Sequence, residues 1–231
     1  MKTKSIFACF SLALFSTLSI AGPINPGFES GLSDWTTSGV ISVISGGSPF
    51  THTGTKALNF NPMEVNDSAQ IYQEFTSQTH HGRTPYMKVG GWFKLFSDDP
   101  ISNFETINIE YTASLLGGGI ATFTDTYSVN SLKDYFGANH QTDWLELFFY
   151  TGPIYDVDDG PTHEFNSSLS ITLLDDDFNP ATKLQTGLSV DDVYAINVSE
   201  PSALFLMGSG LIALINLRRL RVNRRVNPVV A

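Results

Sequence analysis

The sequence predicts an all-β domain, an antiparallel β-sandwich, and three observations carry that prediction. Apolar and polar residues alternate with period two in six separate stretches. Those stretches are rich in β-branched and aromatic side chains, and Gly/Pro/Asp/Ser clusters separate them. No window carries a helical apolar stripe.

Ala69, Ile71, Gln73 and Phe75 alternate with Gln70, Tyr72 and Glu74. Met87, Val89, Gly91, Phe93 and Leu95 form one face of the next stretch, with Tyr86, Lys88, Trp92 and Lys94 on the other. Ile107, Ile109, Tyr111, Ala113 and Leu115 follow. Then Leu145, Leu147 and Phe149 oppose Trp144, Glu146, Phe148 and Tyr150. Leu169, Ile171 and Leu173 repeat the pattern, as do Leu188, Val190 and Tyr194. Turn clusters fall at residues 45–49, 97–100, 117–119 and 156–161. One face of each sheet is then buried and the other wet.

Both ends read differently. Lys2 and Lys4 precede an apolar run from Ile6 to Ile20, and Ser19-Ile20-Ala21 places small residues at the −3 and −1 positions. That is the pattern of a secretory signal peptide over residues 1–21, cut before Gly22. Cys9, the single cysteine, lies inside it, so the mature chain is expected to have no thiol chemistry or disulfide. At the other end Ser199-Glu200-Pro201-Ser202 leads into an apolar run over residues 203–217. Arg218, Arg219, Arg221, Arg224 and Arg225 follow it. The run is short for a bilayer-spanning helix, and arginines beyond it fit the positive-inside rule.

Residues 199–225 resemble the PEP-CTERM sorting signal: a Pro-Glu-Pro-like motif, a short membrane segment and an arginine cluster. Ser199 stands where that family has its first proline, and residues 226–231 form a tail beyond the cluster. The resemblance implies an exosortase as partner and transient residence in the inner membrane through a short C-terminal transmembrane helix. Delivery to the surface or extracellular matrix of a Gram-negative, exopolysaccharide-making bacterium would follow.

Residues 22–198 remain as one domain. They hold six basic and 22 acidic side chains, a net charge of −16. A basic stripe for phosphate contacts is absent, which argues against nucleic acid as a partner, and the acidity favours divalent cations.

The domain opens with Asn25-Pro26-Gly27-Phe28-Glu29-Ser30-Gly31 and Trp35. It continues with His52-Thr53-Gly54-Thr55-Lys56-Ala57-Leu58 and closes with Val190-Asp191-Asp192-Val193. Those segments, in that order, resemble the galactose-binding-like jelly roll of carbohydrate-binding modules. The resemblance implies a structural calcium with Glu29 and Asp191 as ligands and a main-chain oxygen from Thr53 or Lys56. Solvated strand-end acids are the competing reading of the same residues. Independently of the resemblance, Asn25 and Gly27 suit a tight entry, and Phe28 with Trp35 suits closure of one end of the core.

Asp156-Val157-Asp158-Asp159-Gly160 lacks the full spacing of a calcium loop and reads as an acidic turn, like Asp175-Asp176-Asp177. No catalytic constellation assembles. His80-His81 lacks metal-ligand spacing, His52, His140 and His163 read as isolated and solvent-facing, and no nucleophile elbow exists. The candidate sugar-stacking residues are Trp92 with Tyr86 on one strand face and Trp144 with Tyr150 on another, with Glu146 as an outward carboxylate that sugar hydroxyls could reach; ordinary core or half-buried aromatics and a solvated acid are the competing reading.

The sequence therefore predicts a non-enzymatic, exported surface or matrix protein with an exopolysaccharide or biofilm association. A carbohydrate-binding module with a defined glycan is the first alternative, and a polysaccharide-modifying enzyme is the second.

Overall fold

The computed structural model describes residues 22–61, 68–80, 86–101, 105–114, 119–152, 154, 162–174 and 186–198. The sorting residues Ser199 to Ser202, the arginine cluster, the signal segment and both acidic runs lie outside them. So do His81 and the side chains of His80 and His163. Among the described residues no helix is long and apolar enough to cross a membrane.

In chain order the strands are β1 (Thr36–Ser38), β2 (Ile41–Ser45), β3 (Lys56–Phe60), β4 (Ser68–His80) and β5 (Tyr86–Ser97). They continue with β6 (Thr106–Ser114), β7 (Ile120–Ser128), β8 (Leu145–Tyr150), β9 (Thr162–Leu174) and β10 (Thr186–Val198). A single 3-10 turn, Asn130–Tyr135, interrupts the described strands. Two five-stranded antiparallel sheets result. Sheet I runs β1-β4-β9-β6-β7, and sheet II runs β2-β3-β10-β5-β8. The chain crosses from one sheet to the other along most of its length, giving a jelly-roll sandwich.

Cross-strand register builds the core. Ile71, Ile171 and Ile109 stand side by side across β4, β9 and β6. Leu58, Val190 and Phe93 do the same across β3, β10 and β5, with Phe60, Leu188 and Leu95 two residues on. All nine are buried. Burial of each such side chain contributes about 1.5–3 kcal/mol, so matched apolar rows fix the inward faces against slippage.

The opening segment closes one end. Phe28 and Trp35 are both buried, with ring centroids 5.4 Å apart. Gln73 on β4 is also buried. Its Oε1 accepts Ile24 N–H at 2.7 Å, and its Nε2 donates to Asp34 O at 2.8 Å and Ile24 O at 3.0 Å. This inward amide therefore fastens residues 24–34 across the sandwich end. Its burial costs little, because both N–H donors and the oxygen each find a partner.

Strand β10 departs from the period-two expectation. Asp191 pairs with Trp92, but the next pair is Tyr194 with Gly90, so Asp192 and Val193 together oppose Gly91. This is a β-bulge, and Asp192 takes a left-handed backbone with φ of 46°. Leu188 and Val190 face inward as expected. Beyond the bulge Val193 and Ala195 take the buried positions, and Tyr194 turns outward. The sequence alternation that placed Tyr194 with Leu188 and Val190 is thus corrected by one inserted residue.

Candidate functional site

The outer faces of the two sheets differ in chemistry. Sheet I presents hydroxyls, amides and acids: Gln70, Tyr72 and Glu74 on β4, Asn108, Glu110 and Thr112 on β6, and Thr122, Thr124 and Thr126 on β7. These groups bond along and across the strands, as in Thr126 to Asn108 at 2.7 Å and Gln70 to Ser170 at 2.7 Å. Sheet II presents rings. Register puts Trp92 opposite Glu146, Gly90 between Phe148 and Tyr194, and Lys88 opposite Tyr150. Tyr86 lies at the strand end opposite Val198.

Trp92, Tyr86, Trp144 and Tyr150 therefore occupy one face. β5 and β8 each alternate correctly in sequence, but alternation cannot tell that the two strands are neighbours. The separation into two faces is corrected by their pairing.

The loop between β2 and β3 folds over the upper part of this face. Its His52 ring stacks on Trp92 with centroids 3.9 Å apart and planes 11° from parallel, and meets Trp144 edge-on at 6.0 Å. His52 Nδ1 lies 2.7 Å from Asp192 Oδ2, which assigns the proton to that nitrogen. His52 is thus a fixed part of the ring cluster, where the sequence reading took it as isolated and solvent-facing. The spacing to Asp192 along the chain is 140 residues, and no local pattern signals it.

Three carboxylates hold that loop. Asp191, fully buried, accepts His52 N–H at 2.9 Å and Thr53 N–H at 3.1 Å on Oδ2, and Asp192 N–H at 2.8 Å on Oδ1. Burial pushes its carboxyl up to about 6, with the Thr53 N–H opposing and the Asp192 charge adding to the rise. Thr53 Oγ1 donates to both oxygens of Asp192 at 2.8 Å. Glu29 accepts Thr55 N–H at 2.7 Å and Lys56 N–H at 2.9 Å on Oε1, and Thr55 Oγ1–H at 2.7 Å on Oε2. The Thr55 hydroxyl, followed by those two amides, holds Glu29 below the ordinary carboxylate value.

Glu29, Thr53, Lys56 and Asp191 therefore gather at one loop, fastened from opposite ends of the chain. The contacts run through N–H and O–H donors. Lys56 Nζ donates to Glu29 O at 2.7 Å. Both acids have both oxygens engaged, Glu29 by the Thr55 and Lys56 amides and the Thr55 hydroxyl, and Asp191 by the His52, Thr53 and Asp192 amides. Both are therefore arranged as loop staples, and Asp191 differs in being buried beside a second acid. Among the described residues no group of three or more acid or histidine side chains is arranged to hold a metal ion.

Lower on the face, Lys88 Nζ pairs with Glu146 Oε1 at 2.5 Å and lies 4.0 Å from the Phe148 ring centroid and 5.1 Å from that of Tyr194. Tyr194 OH donates to the same Glu146 oxygen at 2.6 Å. The Lys88 ammonium, then the Tyr194 hydroxyl, hold Glu146 below its ordinary 4.5, while burial and then Glu146 push the Tyr194 hydroxyl well up. Tyr150, 57% exposed, and Ile196 flank this group. Lys88, Lys94, Phe148 and Tyr194 join the face without having been singled out in sequence, beside Glu146, which the sequence offers as an outward carboxylate. Outward parity on β5 and β8 is the signal that could have found all but Tyr194, which the bulge displaces.

No protein-family model matches the sequence, and no curated protein matches it. Comparison with solved structures finds similar chains. One is a carbohydrate-binding module of family 28 specific for non-crystalline cellulose, at 14% identity and TM-score 0.48, covering 78% of this chain and 98% of that one. Another is a family 61 module in complex with β-1,4-galactotriose, at 17% identity and TM-score 0.40, covering 77% and 99%. A third is the enzymatically active domain of bacteriophage CBA120 tailspike protein 4, at 12% identity and TM-score 0.45, covering 78% of this chain and 21% of that one.

Proposed function

We propose that this domain is a non-catalytic glycan-binding module and that the outer face of sheet II is its contact surface. The observation that supports it most is the concentration of rings there. Trp92, Trp144, Phe148, Tyr150, Tyr194 and Tyr86 share one solvent-facing sheet with the Lys88–Glu146 pair, while the opposite sheet carries hydroxyls and amides. Flat rings with polar groups between them suit pyranose rings, whose C–H faces stack on aromatic carbons while their hydroxyls reach fixed donors and acceptors. Gly90 lets β8 approach β5 closely beneath Phe148 and Tyr194, because a Cβ there would fall 2.6 Å from Phe148 Cβ. Isothermal titration of the full chain with a panel of oligosaccharides tests this. A bound glycan is expected to lose at least about tenfold in affinity with Trp144→Ala and with Tyr150→Ala, at unchanged melting temperature. Affinity that survives both changes would overturn the assignment of the face.

Export and sorting complete the reading. The signal segment, the Glu200-Pro201-Ser202 motif, the apolar run and the arginine cluster support passage across the inner membrane and processing by an exosortase. Release to the cell surface or matrix follows. Calcium at Asp191 belongs to the same proposal, supported by the buried Asp191 beside the partly exposed Asp192 at the bulge; when bound, the ion would neutralise Asp191 and lock the loop that carries His52.

A further inference from the structure

We propose that the glycan recognised on this face is acidic, and that Lys94 with the Trp144 ring forms the subsite that reads a uronate carboxylate. This rests on the glycan-binding reading above and adds the ligand's class to it.

Positive charge is sparse and unevenly placed in this strongly acidic domain. The four lysines among the described residues are Lys56, Lys88, Lys94 and Lys133, and two of them stand on the outer face of β5, among the rings. Their surroundings differ. Lys56 donates to Glu29 O, and Lys88 is neutralised by Glu146 between two rings. Lys94 donates to Pro49 O at 3.3 Å and has no carboxylate within ion-pair distance among the described residues. An ammonium carries three N–H donors, so two remain for a ligand.

Trp144 is placed beside it by the same atom. Its Nε1 donates to Pro49 O at 3.4 Å, so ammonium and indole nitrogen lie no more than about 7 Å apart. A pyranose ring is about that wide. A sugar stacked on Trp144 would therefore bring a C6 carboxylate within reach of Lys94. His52 meets the indole edge-on, with ring centroids 6.0 Å apart. Two acids of this face are already matched, Asp192 with His52 and Thr53 and Glu146 with Lys88 and Tyr194, while Asp143, the residue before Trp144, is exposed.

The domain's net charge of −16 opposes an anionic ligand at long range. At 0.15 M salt that field decays over about 8 Å, whereas a direct ammonium–carboxylate hydrogen bond is screened much less. Local pairing therefore decides the preference.

Isothermal titration of the full chain at pH 7 and 0.15 M NaCl tests this. The probes are tetrasaccharides of galacturonate, glucuronate and mannuronate, each beside its methyl ester, with β-1,4-galactotriose as a neutral probe. The ester keeps the stacking ring and removes the charge. The expected result is an acid that binds at least about tenfold more tightly than its ester, as one charge-assisted hydrogen bond supplies. Lys94→Gln should close that gap without moving the melting temperature, and Trp144→Ala should weaken acid and ester alike. Ester or galactotriose binding as tightly as any acid, with Lys94→Gln silent, overturns the acidic preference and leaves the glycan face standing. No binding of any probe, acid or neutral, overturns both.

Discussion

Two adjacent acids on β10 show how far one residue's surroundings set its chemistry. Asp191 is fully buried and pushed up to about 6, while Asp192 beside it bonds His52 and Thr53 at the surface. If calcium sits at Asp191, chelation should lower the melting temperature of the full chain by several degrees, and Asp191→Asn should abolish the response. An identical melt with and without chelator would remove the ion and leave the loop held by hydrogen bonds alone. Glu146 supports a second, pH-dependent prediction. Its folded-state pKa is depressed by Lys88 and then Tyr194, so its contribution to stability is full above the ordinary carboxylate value of 4.5 and is lost as pH falls through the depressed one. The advantage of the wild type over Glu146→Gln in thermal melts should be constant from pH 7 to about pH 5 and shrink toward pH 3. An advantage that grows on acidification would contradict the Lys88–Glu146–Tyr194 arrangement.

At the scale of elements, alternation within β4, β5, β6, β8 and β9 was legible because one wet face and one buried face leave a period of two in each strand. Three things were not. Strands β1, β2 and β3 are short: β1 and β2 are half-buried or exposed, and β3 buries Ala57, Leu58 and Phe60 out of strict alternation, so no period of two registers. The bulge at Asp191 and Asp192 inserts one residue into an otherwise regular run, and only the partner strand reveals it. Adjacency of β5 and β8 depends on pairing across more than fifty residues of chain, which a one-dimensional pattern does not encode. The same pairing gives a test. A Cβ at Gly90 would fall 2.2 Å from Leu147 O and 2.6 Å from Phe148 Cβ. Gly90→Ala should therefore force β5 and β8 apart, costing about 1–3 kcal/mol in denaturant unfolding and weakening glycan binding together with it. A silent Gly90→Ala would mean that the two strands are not in this register.

For the whole molecule, the arrangement couples a rigid sandwich to a surface whose parts come from distant chain segments. β5, β8 and β10 supply the rings, and the β2–β3 loop covers one end, fastened by Glu29 from the start of the domain and Asp191 from its close. Stability and recognition therefore share residues at the loop and separate lower on the face, where Tyr150 and Ile196 stand exposed. The proposed route out of the cell has its own check: intact mass of secreted material should end near Pro201, whereas a mature chain that keeps Arg218 to Arg225 would refute exosortase processing.

Hydrogen exchange of the full chain with and without its glycan tests the binding face most directly. Protection is predicted in β5, β8, β10 and residues 46–55, with β4, β6 and β9 unchanged. Protection centred on the threonine-bearing strands of sheet I, with sheet II unaffected, would contradict it.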